Sequence, residues 1–247
     1  YMNTISANLN IMIKACEKAS KALIRDFGEV ENLQVSMKGP SDFVTNADKK
    51  VEKILIEELL KAKKNFSILS EETGFIKNKD EKNMWIIDPI DGTTNFLHGI
   101  PHFSICIALK SHEEITSGLI FDPIKDEMFY AEKNLGSFLN NKRIRVSKKK
   151  DLKDCLFGTN GKKYKDVKLT NRKSGSAALD MAYVAAGRYD GFFQENLNLW
   201  DVASGVIIIS EAGGIINKAD TGKINNIEVI TSSSNINEKM LYILDKF

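Results

Sequence analysis

The sequence is short of the features that mark several protein classes. Its 247 residues hold three cysteines, Cys16, Cys106 and Cys155, an odd set with no CxxC spacing. That argues against a disulfide framework or a thiolate zinc site, and reduced thiols in a cytoplasmic protein are the simplest reading. The three histidines, His98, His102 and His112, form no HExxH or finger pattern and read as structural or surface residues. No apolar run approaches the ~20 residues that cross a bilayer. Met2-Asn3-Thr4-Ile5 lacks the basic and apolar regions of a signal peptide, so no membrane partner is expected. A net charge of +2 is no nucleic-acid signature. The runs Lys148-Lys149-Lys150 and Lys162-Lys163 lack interleaved aromatics and read as solvated loops, which leaves nucleic acid a minor alternative. There is no internal repeat and no low-complexity tract. Neither a Cys-x5-Arg loop nor a nucleophile elbow supplies a covalent nucleophile.

What is present is a chain 43% apolar, enough for one large domain or two tightly packed ones. Residues 3–27 carry Ile5, Leu9, Met12, Ile13, Cys16, Leu23 and Ile24 at helical spacing. A loop through Gly39-Pro40 leads to a second helix over about 47–62, with Thr45 or Asn46 as its cap and Asp48 in its first turn. Strands are expected near 66–69 and 84–87. The stretches 103–109, 115–121 and 127–131, continued by 136–139 and 143–146, read as consecutive antiparallel strands. Beyond a basic stretch at 147–154 come a strand near 155–159, a helix at 176–187, a strand at 190–194, a helix at 201–212, strands near 214–217 and 227–231, and a last helix at 236–246. The expected division is 1–146, an α+β half, and 147–247, an α/β half. Helices alternating with strands in both halves imply layers of each.

The most telling string is Trp85-Ile86-Ile87-Asp88-Pro89-Ile90-Asp91-Gly92-Thr93-Thr94-Asn95-Phe96. A buried strand ends at a carboxylate, a second carboxylate follows three residues later, and Gly with two threonines can open a helix. Carboxylates suit a hard cation such as Mg²⁺, and a helix N-terminus suits a phosphate. Read alone, the same residues also make an ordinary surface turn.

Four further segments follow the same theme: Asp42-Phe43-Val44-Thr45-Asn46-Ala47-Asp48, Ile68-Leu69-Ser70-Glu71-Glu72-Thr73-Gly74, Gly175-Ser176-Ala177-Ala178, and Leu199-Trp200-Asp201-Val202-Ala203-Ser204-Gly205. Together, the five resemble the signature segments of the inositol monophosphatase family, nearest its bacterial SuhB-type branch. That resemblance implies an αβαβα layered sandwich of the inositol monophosphatase / fructose-1,6-bisphosphatase type. It implies a phosphomonoester hydrolase that is lithium-sensitive, cytoplasmic and homodimeric, and that uses a metal-activated water against a phosphorylated polyol or sugar.

By the same resemblance, Glu71, Asp88, the Ile90 carbonyl, Asp91 and Asp201 hold two or three Mg²⁺ ions, with Asp201 supplied by the second half. Thr93, Asp48 and Glu71 form the catalytic set, and the Gly92 and Thr93 N–H groups hold the phosphate. Asp91, Gly175, Ser176, Ala177, Gln194 and Arg172 contact the substrate. Two departures lie on the alcohol side: Gln194 stands where relatives carry Glu, and the segment 157–174 is short. Inositol preference is therefore open. The alternatives are a sibling phosphatase acting on a nucleotide bisphosphate, histidinol phosphate, sugar bisphosphate or NADP phosphate, or an RNA- or transcription-associated protein with secondary phosphatase activity.

Overall fold

Trp85, Ile86 and Ile87 show how the layers arise. Consecutive strand residues face opposite ways, and all three are buried, so their strand needs apolar cover on both faces. In a computed structural model, which describes residues 5–30 and 40–246, helices provide it. Trp85 and Ile87 pack with two long helices, α1 (Ala7–Gly28) and α2 (Pro40–Ala62). Ile86 packs on the other side with α4 (Ala177–Ala185) and α5 (Leu199–Glu211). Burying side chains of this size stabilises by roughly 1.5–3 kcal/mol each.

The strand in question is β3 (Asp80–Asp91). It lies in an eight-stranded sheet ordered β2-β1-β3-β4-β5-β6-β7-β8. Here β1 is Phe66–Ser70, β2 Gly74–Ile76, β4 Ser104–Ser111, β5 Glu114–Asp122, β6 Glu127–Glu132, β7 Gly136–Leu139 and β8 Lys142–Arg143. Only β1 and β3 are parallel; the rest is antiparallel. A second, five-stranded sheet is ordered β10-β9-β11-β13-β12. Its strands are β9 (Phe157–Gly158), β10 (Asn171–Arg172), β11 (Gly191–Leu197), β12 (Gly214–Lys218) and β13 (Ile227–Ser233). Phe192 and Val229 of this sheet join the α4/α5 core. Phe193 and Ile230 face the other way, onto Met240 and Leu244 of α6 (Asn237–Leu244). The layers therefore run helices, sheet, helices, sheet, helix, the αβαβα sandwich expected. The α4/α5 core draws on residues from both halves of the chain.

Several boundaries differ from expectation. Helix α1 begins at Ala7 because Ser6 caps it, its side chain accepting the Leu9 N–H at 3.2 Å. Ile5 and Ile24 are exposed rather than part of the apolar face. Helix α2 begins at Pro40, not near residue 47, so Asp48 lies in the helix interior. Proline suits a first helical position, where no N–H is needed. Met2, Asn3, Thr4 and the loop at Gly39 lie outside the described residues. Ile144–Val146 do not continue the strand begun at Lys142, and β2 and β10 were not expected.

Candidate active site

The sequence around Asp88 forces a break in β3. Pro89 cannot donate to a strand partner, and pairing with β4 shifts register between Asp88 and Asp91. Both carboxylates project from this irregular end. Asp88 is buried, and its Oδ1 accepts the Ile90 N–H at 3.0 Å. The chain then turns at Gly92, at φ 96°, where a Cβ would lie 3.0 Å from the His102 carbonyl oxygen. The short helix α3 (Thr93–Leu97) follows. The Thr93 hydroxyl donates to the Ile90 carbonyl at 2.8 Å.

A pocket opens here. Of the sequence-predicted site residues, the structure brings Glu71, Asp88, Ile90, Asp91, Gly92, Thr93, Gly175, Ser176, Ala177, Gln194 and Asp201 to its lining. Three helices begin at its wall, and their N-caps Gly92, Ser176 and Asn198 all line it. Asp91 joins two of these helices: its Oδ2 accepts the Ser176 hydroxyl and, at 3.0 Å, the Ala178 N–H at the start of α4. Asn95 makes a second tie, its amide donating to the His102 carbonyl at 2.7 Å and the Ser174 carbonyl at 2.9 Å. Asp201 is the third residue of α5, and one of its oxygens accepts the Asn198 N–H at 2.7 Å, as in a capping box.

Two predicted residues lie outside the lining. Asp48, on α2, is buried behind the pocket, with its Oδ1 lacking a hydrogen-bond partner among the described residues. The Thr93 hydroxyl is engaged with Ile90 instead. Arg172 is exposed on the edge strand β10, its guanidinium donating to the Asn171 carbonyl. Gln194 lines the pocket while Glu195 accepts the Lys163 N–H, as strand alternation requires.

Sequence reasoning missed Glu52, Asn160 and Asp180. Asn160 and Asp180 line the pocket. Asp180 is buried on α4, its Oδ1 unpartnered among the described residues. Its signal was an acid inside the apolar run Ala177-Ala178-Leu179-Asp180-Met181. Glu52 is buried on α2 and accepts the Glu72 N–H and the Thr73 hydroxyl.

Five carboxylates line the pocket, and no Lys, Arg or His does among the described residues. Burial, then the neighbouring charges of Asp91, Glu71, Asp201 and Asp48, raises the Asp88 carboxyl well above its ordinary range. Glu71 is exposed as a residue, but its carboxyl turns into the pocket. Partial burial, then Glu72 and Asp91, pushes it up to about 7. Burial lifts Asp201 to about 7, against the pull of the Asn198 N–H. Burial also lifts Asp91 to about 6, against its hydrogen bonds from Ser176 and the start of α4. Asp48 rises to about 8 through burial and then through Glu71, Glu72 and Glu52. Such a set, acceptor-only and uncompensated by any protein cation, fits a hard divalent ion. No three His, Cys, Asp or Glu side chains close on one point among the described residues. Mg²⁺ does not need such a cage, because it keeps several waters and takes few carboxylates.

These shifts fix how stability varies with pH. A carboxyl raised in the folded state holds its proton where the unfolded chain has lost it. Its contribution is complete below about pH 4, the unfolded value, and is lost as pH climbs through about 6 to 8. His102, lowered by burial and by Lys125, works in the opposite sense over this range. The Tm of metal-stripped protein is therefore expected to fall between pH 5 and pH 8, and Mg²⁺ is expected to remove most of the fall. Thermal scans across that range check it, and a Tm that rises without metal would contradict this description of the acids.

The layered fold and the relatives it matches are those of a phosphoric monoester hydrolase. The sequence pattern of the inositol monophosphatase family matches residues 6–245, and the chain belongs to that family. A Rhizobium meliloti (strain 1021) protein named inositol-1-monophosphatase is 49% identical, over 88% of this chain and 87% of that protein. The Nus factor SuhB of Escherichia coli (strain K12) is 39% identical over 84% of each. The crystal structure of extragenic suppressor protein SuhB from Bartonella henselae superposes with a TM-score of 0.88 at 44% identity, covering 98% of this chain and 99% of that one.

Proposed function

We propose that the protein hydrolyses small phosphorylated polyols or sugars with two or three Mg²⁺ ions held by Glu71, Asp88, the Ile90 carbonyl, Asp91 and Asp201. The observation that carries this reading is the group of uncompensated acids facing three helix N-termini. Acids alone would repel a phosphate; acids that hold cations, beside free N–H groups, would bind one. The family is generally metal-dependent. Bound Mg²⁺ supplies charge neutralisation and lowers the pKa of water.

The chain's own groups do the rest. The Gly92 and Thr93 N–H groups hold the phosphate at the start of α3. The Thr93 hydroxyl orients the attacking water, accepting its proton once it turns from the Ile90 carbonyl. Asp48 would take that proton onward in its ionised form, which bound cations would favour against the burial that raises its carboxyl, and Glu71 is the third member of the set. Asp91 and the Gly175-Ser176-Ala177 backbone orient the alcohol. Arg172 reaches this end only by swinging in from β10.

Gln194 sets the breadth of substrate choice. A neutral amide makes weaker bonds to vicinal hydroxyls than a carboxylate, roughly half as strong. Inositol 1-phosphate is therefore expected to be accepted but only weakly preferred over glycerol or sugar phosphates, and Gln194→Glu is expected to raise that preference. The deciding measurement is phosphate release from a panel of phosphomonoesters, in both forms, with Mg²⁺ and with EDTA. Full activity in chelator would overturn the metal reading. Strong inositol selectivity, unchanged in Gln194→Glu, would overturn the account of the cleft. Lithium is expected to inhibit.

Relatives named Nus factor SuhB support a second reading, a transcription-associated binding role beside hydrolysis. Retention of a partner by an Asp91→Asn variant in pull-down would favour it. We further propose a cytoplasmic homodimer divided near 147–154. Three buried free thiols suit a reducing compartment, and sedimentation tests the dimer. Among the described residues, no helix is long and apolar enough to cross a membrane.

A further inference from the structure

The turn that carries Glu71 is the tip of the short β1–β2 hairpin, closed by the pairing of Ser70 with Gly74, and its own three side chains have no core to pack on. Glu71, Glu72 and Thr73 are exposed, and the turn leads into the three-residue edge strand β2, whose Phe75 is 58% exposed. No apolar side chain of the turn reaches a core. What does reach inward is hydrogen bonding to Glu52. That residue is 2% exposed, and both its oxygens are used. Oε2 accepts the Glu72 N–H at 3.0 Å, and Oε1 accepts the Thr73 hydroxyl.

Burying a carboxylate is costly unless its oxygens are satisfied. The hydrogen bonds of Glu52 among the described residues run to this turn alone, although the surroundings are already acidic: Asp48 and Glu71 both feel its charge. A carboxylate placed where it raises local repulsion contributes through the hydrogen bonds it makes rather than through its charge. The geometry is specific. Glu52 lies one helical turn beyond Asp48, on the same face of α2, so the anchor ties the Glu71 turn to the rigid element that carries Asp48.

We infer that Glu52 is a positioning residue: it sets where the Glu71 carboxylate stands, and through it the affinity of the pocket for its divalent ion. This rests on the functional reading above. A ligand on an exposed turn needs its supporting contacts to stay within about 0.5 Å of a productive position, and Glu52 supplies those contacts.

The test compares Glu52→Ala, which removes both acceptors, with Glu52→Gln, which keeps the size and one carbonyl acceptor. Glu57→Gln, on the exposed face of the same helix, controls for the loss of one charge. Mg²⁺ binding to the substrate-free protein is measured by isothermal titration calorimetry, alongside Tm and KM at saturating Mg²⁺. Glu52→Ala is expected to bind Mg²⁺ about tenfold more weakly or worse, the scale for losing a partner that orients a metal ligand. Glu52→Gln is expected to fall between it and the unmodified protein, Glu57→Gln to match the unmodified protein, and KM to stay near its original value.

Unchanged Mg²⁺ binding in Glu52→Ala overturns the inference. So does equal weakening in Glu52→Gln and Glu52→Ala, which would mean that charge alone acts. If Glu52→Ala does not fold, Thr73→Val, which deletes one of the two donors, carries the same comparison, and unchanged Mg²⁺ binding there overturns the inference as well. An unmodified protein that takes up no Mg²⁺ overturns the functional reading and this inference together. Uptake by the unmodified protein, undiminished in the variants, overturns the inference alone.

Discussion

Asp91→Asn is expected to lower kcat by at least about 10²-fold, the scale of one lost electrostatic stabiliser, in a protein that folds normally. Asp91 combines two roles. Its Oδ2 holds the Ser176 hydroxyl and the Ala178 N–H, and its charge belongs to the acid set. Asn separates them. Its carbonyl oxygen keeps both donors, while an amide replaces the second oxygen and the negative charge disappears. Tm is therefore expected to change little while turnover collapses. Asp91→Ala is expected to lose the clamp as well and to melt earlier. Steady-state kinetics with thermal scans on both variants distinguish the roles. A near-normal rate in folded Asp91→Asn would contradict the assignment of Asp91 to the ion-holding set.

Thr93→Ala is expected to reduce kcat by about 10²–10⁴-fold, the usual range for losing general-base assistance, with KM comparatively unchanged. The N–H groups at the start of α3 survive this substitution, so phosphate binding should persist. The hydroxyl that donates to the Ile90 carbonyl does not survive. Because Ile90 is itself assigned to the ion-holding set, loss of that hydrogen bond is a competing cause, and Mg²⁺ affinity separates the two: it is expected to stay unchanged in Thr93→Ala if the hydroxyl serves the water, and to weaken if it serves the Ile90 carbonyl. Thr93→Ser restores the hydroxyl and should recover most of kcat. A Thr93→Ala variant that only raised KM would make the residue a binding group.

The antiparallel strands of the large sheet were legible because alternating apolar residues met recognisable turns, such as Asp122-Pro123. The edge strands β2 and β10 were not: three and two residues long, they are too short for alternation to register. Missing β10 made Arg172 look free to enter the cleft when it lies on a strand outside it. The start of α2 was hidden because Pro40 and the polar residues after it read as loop. Asp88 and Asp91 stood out because the whole string from Trp85 to Phe96 resembles the family's signature; alone, two acids after a strand also make an ordinary turn. Glu52 did not stand out, because a Glu between Val51 and Lys53 on a helix looks like any solvated side chain. Nothing local announces that its partners sit 20 and 21 residues further on.

The pairing of Asp91 with α4 bears on how the chain could be divided. Residues 1–146 contain Glu71, Asp88 and Asp91, three of the four acid side chains assigned to the ions. Cut there, the piece would keep the acids and lose both donors that hold Asp91 in place, with α4 and α5 no longer covering Ile86, Ala108 and Ile120. The complementary piece would present two helix N-termini aimed at nothing. Neither piece is expected to stand as a module by itself. The residues assigned to catalysis are also the seam, so a graft or split that respects the sheets would still cut through the proposed chemistry.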